Sequence, residues 1–298
     1  MNETTARLPR RRRRVEVIAL HCSGAGAGQW NNLAEALGGE YEVLAPEHYG
    51  TESAGPWTGE HPFTLADEAA RTIALIDRCE SKLHLVGHSY GGGVALHVAL
   101  ARPDRIASLA LYEPSAFHLL RQMGGKAAEA FAEITGIARR TCEGVVTGDY
   151  RGAASAFVDY WNGPGAWDAL RPAVQQELIR WSPKAPLDFR ALIEEPTVAG
   201  AYRKLSFPTL ILRGQHAPLP TRIVAEGLAS LLPVKRLITI KGAGHMGPLI
   251  HAPEVSALIV QHIAATETEL NAPPLQRRHP RGLAEIFDAV SRTAQVWS

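Results

Sequence analysis

The stretch Leu85-Val-Gly-His-Ser-Tyr-Gly-Gly-Gly93 decides how this chain is read. A β-prone run, Lys82–Gly87, enters it, and a run of small residues with helical character, Tyr90–Ala101, leaves it. The serine between them sits on a tight strand-to-helix turn. Gly87, Gly91 and Gly92 leave the room that the neighbouring backbone needs at such a turn. The start of the following helix also favours negative charge developing beside Ser89. Ser89 is therefore a candidate nucleophile.

A serine hydroxyl is weakly nucleophilic and needs a base. Of the chain's twelve histidines, one stands in a matching position, in Ile240-Lys-Gly-Ala-Gly-His-Met-Gly-Pro248. This glycine-rich loop directly follows the last expected strand, so His245 should project from the same sheet edge as Ser89. It is the candidate base. His88 is a neighbour of the serine, and the remaining histidines read as surface or packing residues.

Outward from these two loops, short β-rich runs alternate with helical patterns. The expected class is α/β, a mostly parallel sheet with helices on both faces and an inserted helical cap. Strands are expected at Val15–Leu20, Tyr41–Pro46, Lys82–Gly87, Ile106–Tyr112, Pro208–Arg213 and Lys235–Ile240. Gln29–Leu37 reads as a helix with Trp30, Leu33 and Leu37 on one face. Thr64–Asp77 reads as another, with Thr64 and Asp67 spaced as a capping box.

The alternation stops after Tyr112. Ala127–Arg140, Ala153–Trp161, Pro172–Trp181 and Leu187–Glu195 are successive helical segments punctuated by Gly and Pro. The expected layout is a basic arm at 1–14, a core at 15–115 and 204–268, a helical cap at 116–203, and an extension at 269–298. A cap in that place covers the strand ends, where parallel sheets bind ligands. In the extension, Leu283, Ile286, Phe287 and Val290 form a helical stripe across Gly282–Val296. It is expected to dock on the body or on a second subunit as a homodimer contact.

The chain has 298 residues and a net charge of +1, which gives no reason to expect nucleic acid as a partner. No run is long enough to span a membrane. Arg10–Arg14 precede an apolar stretch, but that stretch is short, contains Glu16, and reads as the first strand rather than an export signal. Cys22, Cys79 and Cys142 are too scattered for a disulfide framework or metal cluster, which suits a cytoplasmic setting. No cofactor is expected.

Together the turn Gly-His-Ser89-Tyr-Gly, the loop Leu20-His-Cys-Ser-Gly-Ala-Gly-Ala-Gly28 and the Gly-Ala-Gly-His245 loop resemble the α/β-hydrolase superfamily, over roughly residues 15–113 and 205–265. The resemblance implies an oxyanion hole built from the backbone N–H groups of Ser23 and Tyr90. Members usually have His-Gly where this chain has His21-Cys22. Members also carry an acid after the strand matching Pro208–Arg213, but the run here is Gly214-Gln-His-Ala-Pro218, with Ala217 at that position. A methyl group cannot orient an imidazole. The other place used by relatives is the end of the strand after the nucleophile helix. Here that strand closes on Leu111-Tyr-Glu-Pro114, which makes Glu113 the expected acid.

The resemblance implies an ester, lactone or thioester hydrolase working through an acyl-enzyme, or an acyltransferase or C–C hydrolase with the same apparatus. The cap aromatics Phe117, Phe157, Tyr160, Trp161, Trp167 and Trp181 imply a small apolar substrate, some lining a pocket and others packing helices. A dinucleotide-binding protein would place a third glycine at position 29, which is Gln29. That alternative leaves Ser89 and His245 unexplained. A non-catalytic binding protein is the stronger rival, and a solvent-facing Glu113 would favour it.

Overall fold

The computed structural model describes residues 15–272. The arm at 1–14 and the expected helix at 282–296 lie outside the described residues. Six parallel strands form one sheet: β1 (Val15–Leu20), β2 (Tyr41–Leu44), β3 (Leu83–His88), β4 (Ile106–Tyr112), β5 (Thr209–Gly214) and β6 (Lys235–Ile240). Their order is β2-β1-β3-β4-β5-β6. The chain winds outward to β2, then returns past β1 to β3, so the winding reverses between β1 and β3. Clefts in such sheets open at the carboxyl ends of the strands flanking that reversal.

The β1, β4 and β6 bounds are those expected from sequence. β2 stops at Leu44, two residues before Pro46, which has no N–H to add to a ladder. β3 and β5 each start and end one residue later than expected, because His88 pairs with Tyr112 and Gly214 with Ile240.

Residues along the strands alternate between two cores. Ile18, Leu20, Leu83, Leu85, Leu109, Leu111 and Ile211 face one apolar layer. Val17, Ala19, Val86, Ala110, Leu210 and Leu212 face the other. Helices α2 (Leu65–Arg78), α3 (Tyr90–Ala101) and α9 (Leu219–Leu231) cover the first face. α1 (Asn31–Leu37) and α11 (Ala252–Asn271) cover the second, with Trp30, Leu33 and Leu37 buried there as the periodicity requires. α2 opens with the capping box of Thr64 and Asp67.

Between β4 and β5 the chain carries helices and no strand: α4 (Ala127–Val146), α5 (Tyr150–Asn162), the short α6 (Ala166–Ala169), α7 (Pro172–Trp181) and α8 (Ala185–Ile193). α4 runs six residues past its expected end, and α8 starts and ends two residues earlier than expected. The last short helix before α11 is α10 (Gly247–Ile250). Among the described residues no helix is long and apolar enough to cross a membrane.

Candidate active site

Ser89 stands between β3 and α3 with φ +53°, ψ −116°, a conformation that L-residues rarely adopt. Glycine makes the turn possible. A Cβ on Gly87 would lie 2.6 Å from the Gly91 carbonyl, and one on Gly91 would run into the Leu20 carbonyl of β1. Around it, the Ser89 N–H donates to the Tyr112 carbonyl, and the Ser89 carbonyl accepts from the N–H groups of Gly93 and Ser115. The serine is buried, and its Oγ has two neighbours: His245 Nε2 at 2.9 Å and Ser115 Oγ at 3.2 Å.

On its other side the imidazole meets Glu113: His245 Nδ1 lies 2.7 Å from Glu113 Oε2. A carboxylate only accepts, so Nδ1 carries the proton and Nε2 is left to accept from the Ser89 hydroxyl. Glu113 is wholly buried. Its Oε1 accepts from the Gly214 N–H at 2.8 Å, and its Oε2 also accepts from Thr221 Oγ1 at 2.9 Å. The carboxylate thus lies across the end of β5 and the first turn of α9. It fills the neighbourhood where Ala217 offers no acid. The structure brings Ser89, His245 and Glu113 into one hydrogen-bonded series, drawn from three loops at one edge of the sheet.

The loop carrying His245 is pinned by the last residues of two neighbouring strands. Tyr112 Oη donates to the Gly244 carbonyl at 2.7 Å. His88 Nε2 donates to the His245 carbonyl at 2.9 Å. Burial pushes the His88 imidazole well below its usual pKa, so it stays neutral. From the inserted segment, the Trp161 indole stacks on the His245 ring, with centroids 4.0 Å apart and planes 25° from parallel.

Ser23 lies in the loop after β1. Gln29, the residue that breaks the dinucleotide pattern, accepts the Cys22 N–H on its Oε1 at 3.1 Å. Glu47 Oε1 accepts the Ala27 N–H at 2.9 Å, a local structural contact. Among the described residues the backbone N–H of Ser23 meets no protein acceptor. That of Tyr90 opens α3, where no residue one turn earlier in the helix can take it. Ser23, Ser89 and Tyr90 line one narrow cleft. The cleft's walls include Phe117, Phe157, Trp161 and Trp181. Tyr160 instead donates to Glu133, and Trp167 packs among the inserted helices.

Motif reading did not reveal Thr221, Ser115 or the stacking of Trp161. It also missed a buried network in which Lys184 bridges Glu68 and Asp188. The four-residue spacing of Lys184 and Asp188 on a helical run was its one visible sign. Among the described residues no group of three or more His, Cys, Asp or Glu side chains could hold a metal ion.

Geometrically, this arrangement can take a proton from Ser89 and hold the resulting imidazolium against a buried carboxylate. Known proteins share the fold. MenH from S. aureus superimposes with a TM-score of 0.68 at 17% identity, covering 85% of this chain and 94% of that one. The enol-lactonase from Burkholderia xenovorans LB400 gives a TM-score of 0.65 at 18% identity, covering 85% and 92%. In sequence, a pimeloyl-(acyl-carrier protein) methyl ester esterase of Aeromonas hydrophila subsp. hydrophila is 25% identical over 260 residues, or 83% of this chain and 94% of that protein. Lipase LipV of Mycobacterium tuberculosis is 35% identical over 102 residues, which span 34% of this chain and 38% of the lipase. The family model described as the alpha/beta hydrolase family matches residues 17–258, and the chain belongs to that family.

Proposed function

We propose that this protein is a serine hydrolase that cleaves an ester, lactone or thioester through an acyl-enzyme on Ser89. The observation that carries the reading is the unbroken series Ser89 Oγ, His245 Nε2, His245 Nδ1, Glu113 Oε2, at 2.9 and 2.7 Å. Relatives named as esterase and lipase support action on ester-type bonds.

In the first half-reaction Ser89 Oγ attacks the substrate carbonyl carbon while its proton passes to His245 Nε2. Glu113 stabilises the imidazolium so formed and keeps the ring in the required tautomer. The carbonyl oxygen becomes an oxyanion facing the N–H groups of Ser23 and Tyr90. Donors of this kind contribute roughly 10²–10³-fold each in related chemistry. Collapse of the intermediate expels the alcohol or thiol, which takes the proton from His245. Water then repeats the sequence on the acyl-enzyme, with His245 as its base, and frees the acid.

The inserted helices act as a cap, and their aromatic residues favour a substrate with an apolar acyl or alcohol part. A solvent-facing acid would have favoured a binding-only protein. Glu113 is buried and its carboxylate is fully engaged. The test is labelling with a serine-directed fluorophosphonate followed by mass spectrometry. One adduct on Ser89, absent from Ser89→Ala, supports the reading, and a label that persists in that variant overturns it. A series of nitrophenyl esters of increasing acyl length then defines the preferred chain.

A further inference from the structure

The side chains of Ser23 and Tyr90 end in one buried ionic network. Ser23 Oγ donates to Asp188 Oδ2 at 2.6 Å, and Tyr90 Oη donates to Glu68 Oε2 at 2.8 Å. Those two carboxylates share one cation: Lys184 Nζ bonds Glu68 Oε2 at 2.9 Å and Asp188 Oδ1 at 2.5 Å. The same ammonium lies 4.5 Å from the Phe63 ring centre and 4.9 Å from that of Tyr90. Glu68, Lys184 and Asp188 are each at least 95% buried. Glu68 comes from α2, whereas Lys184 and Asp188 come from the inserted segment, just before and within α8.

Such a network is a poor way to gain stability, since desolvation offsets most of the Coulombic attraction. What it can fix is position. Ser23 lies beside Gly24, whose φ is +72° and which, lacking a side chain, restrains its own backbone little. Gln29 holds the Cys22 N–H on one side of the Cys22–Ser23 peptide, and Asp188 holds the Ser23 hydroxyl on the other. The peptide that carries the Ser23 N–H is thereby clamped from both ends. Tyr90 follows the strained Ser89, and its ring is fixed through Glu68 and Lys184.

We propose that Lys184, Asp188 and Glu68 are positioning residues that aim the Ser23 and Tyr90 N–H groups at the oxyanion, so that the inserted helices set the geometry of the transition state. The proposal rests on the hydrolase reading above. Misplacement of a reacting group by about 1 Å can cost roughly 10²-fold in rate.

The decisive variant is Ser23→Ala, which keeps the N–H and removes only the link to Asp188. Three quantities are measured: kcat and KM on a nitrophenyl ester, inhibition by a trifluoromethyl ketone that forms a tetrahedral oxyanion on serine, and inhibition by the matching non-fluorinated ketone. The expected result is a fall of about tenfold in kcat with a parallel loss of trifluoromethyl ketone affinity. KM and binding of the plain ketone should stay within about twofold. Ser23→Thr should restore kcat, and Asp188→Asn should cost at least as much as Ser23→Ala, because it weakens the contact with Lys184 as well as the one with Ser23.

Wild-type kcat and inhibitor affinity in Ser23→Ala would overturn the proposal, as would wild-type values in Asp188→Asn. If Asp188→Asn does not fold, Ser23→Ala with its threonine counterpart carries the test alone. Fluorophosphonate labelling separates the two readings. An unlabelled wild-type Ser89 defeats the hydrolase reading, whereas a labelled Ser89 with an unaffected Ser23→Ala defeats only the positioning role.

Discussion

Ser89 and Glu113, held at φ +53° and +41°, are the two non-glycine residues of the described chain at positive φ, and each follows directly on the paired strand ends His88 and Tyr112. Both strained positions lie side by side where β3 and β4 leave the sheet. Such conformations cost on the order of 1–3 kcal/mol and persist only where the surroundings impose them. Ser89→Gly and Ser89→Ala should both abolish turnover, but they should differ in stability. Glycine relieves the φ strain that alanine keeps, so Ser89→Gly should unfold later than Ser89→Ala by about 1 kcal/mol in urea. A glycine variant less stable than the alanine variant would show that the turn is not strained.

Glu113→Gln should lower turnover by roughly 10³–10⁴-fold with little change in circular dichroism, because the amide cannot balance an imidazolium. Adding Ala217→Asp to that variant places a carboxylate after β5 and should recover part of the activity. Thr221→Val removes one of the hydrogen bonds to Glu113 and should cost far less than Glu113→Gln. Equal losses in the two variants would mean that Thr221, not the charge of Glu113, governs the site.

The motifs made Ser89, His245 and the sheet legible because their chemistry is local: glycines at a turn, a β-prone run on one side, a helical run on the other. Glu113 was legible only through the resemblance to the α/β-hydrolase superfamily, whose other acid position it matches once Ala217 leaves the first one empty. Its partners Gly214 and Thr221 were not, since they reach it across 101 and 108 residues. The Lys184 network was hidden for the same reason, with Glu68 lying 116 residues from Lys184. Helix ends in the insertion shifted by up to six residues. There, Thr141-Cys-Glu-Gly-Val-Val146 continues α4 despite its Gly and β-branched residues, an override of local propensity by packing.

Burial lowers the pKa of His84 to about 4, and burial is the leading cause of the same shift in His48, His118 and His262. The folded protein therefore keeps these rings neutral where the unfolded chain would protonate them, below about 6.5. In that window the unfolded state binds more protons, so stability falls as pH drops. The urea midpoint should be flat above pH 7, decline between about pH 6.5 and 4, and lose this contribution to its slope below 4. His84→Gln should flatten the decline by the share of one ring. A midpoint independent of pH across this range would contradict the assignment.

Tyr112 Oη holds the Gly244 carbonyl one residue before His245. Tyr112→Phe should cost about 1 kcal/mol of stability, the usual net worth of one hydrogen bond. If the contact also aims the imidazole, kcat should fall several-fold while KM holds. Unchanged kcat in a destabilised Tyr112→Phe would assign the hydroxyl to folding alone.

Trp161 meets two demands at once, because it lines the cleft and stacks on His245 at 4.0 Å. The electron-rich indole face attracts a cation, and in the proposed mechanism the ring it covers becomes an imidazolium during each half-reaction. A contact of this kind is worth about 0.5–2 kcal/mol, which corresponds to roughly 2–30-fold in rate. Trp161→Leu should therefore lower kcat within that range. Trp161→Phe, which keeps an aromatic face, should retain most of it. Both variants also shorten a cleft wall, so both should move the preferred nitrophenyl ester toward longer acyl chains. The two effects separate cleanly: a chain-length shift common to both variants reports the wall, and a kcat loss confined to leucine reports the stacking. Equal kcat in the phenylalanine and leucine variants, together with an unshifted chain preference, would leave Trp161 as packing between the inserted helices and the His245 loop.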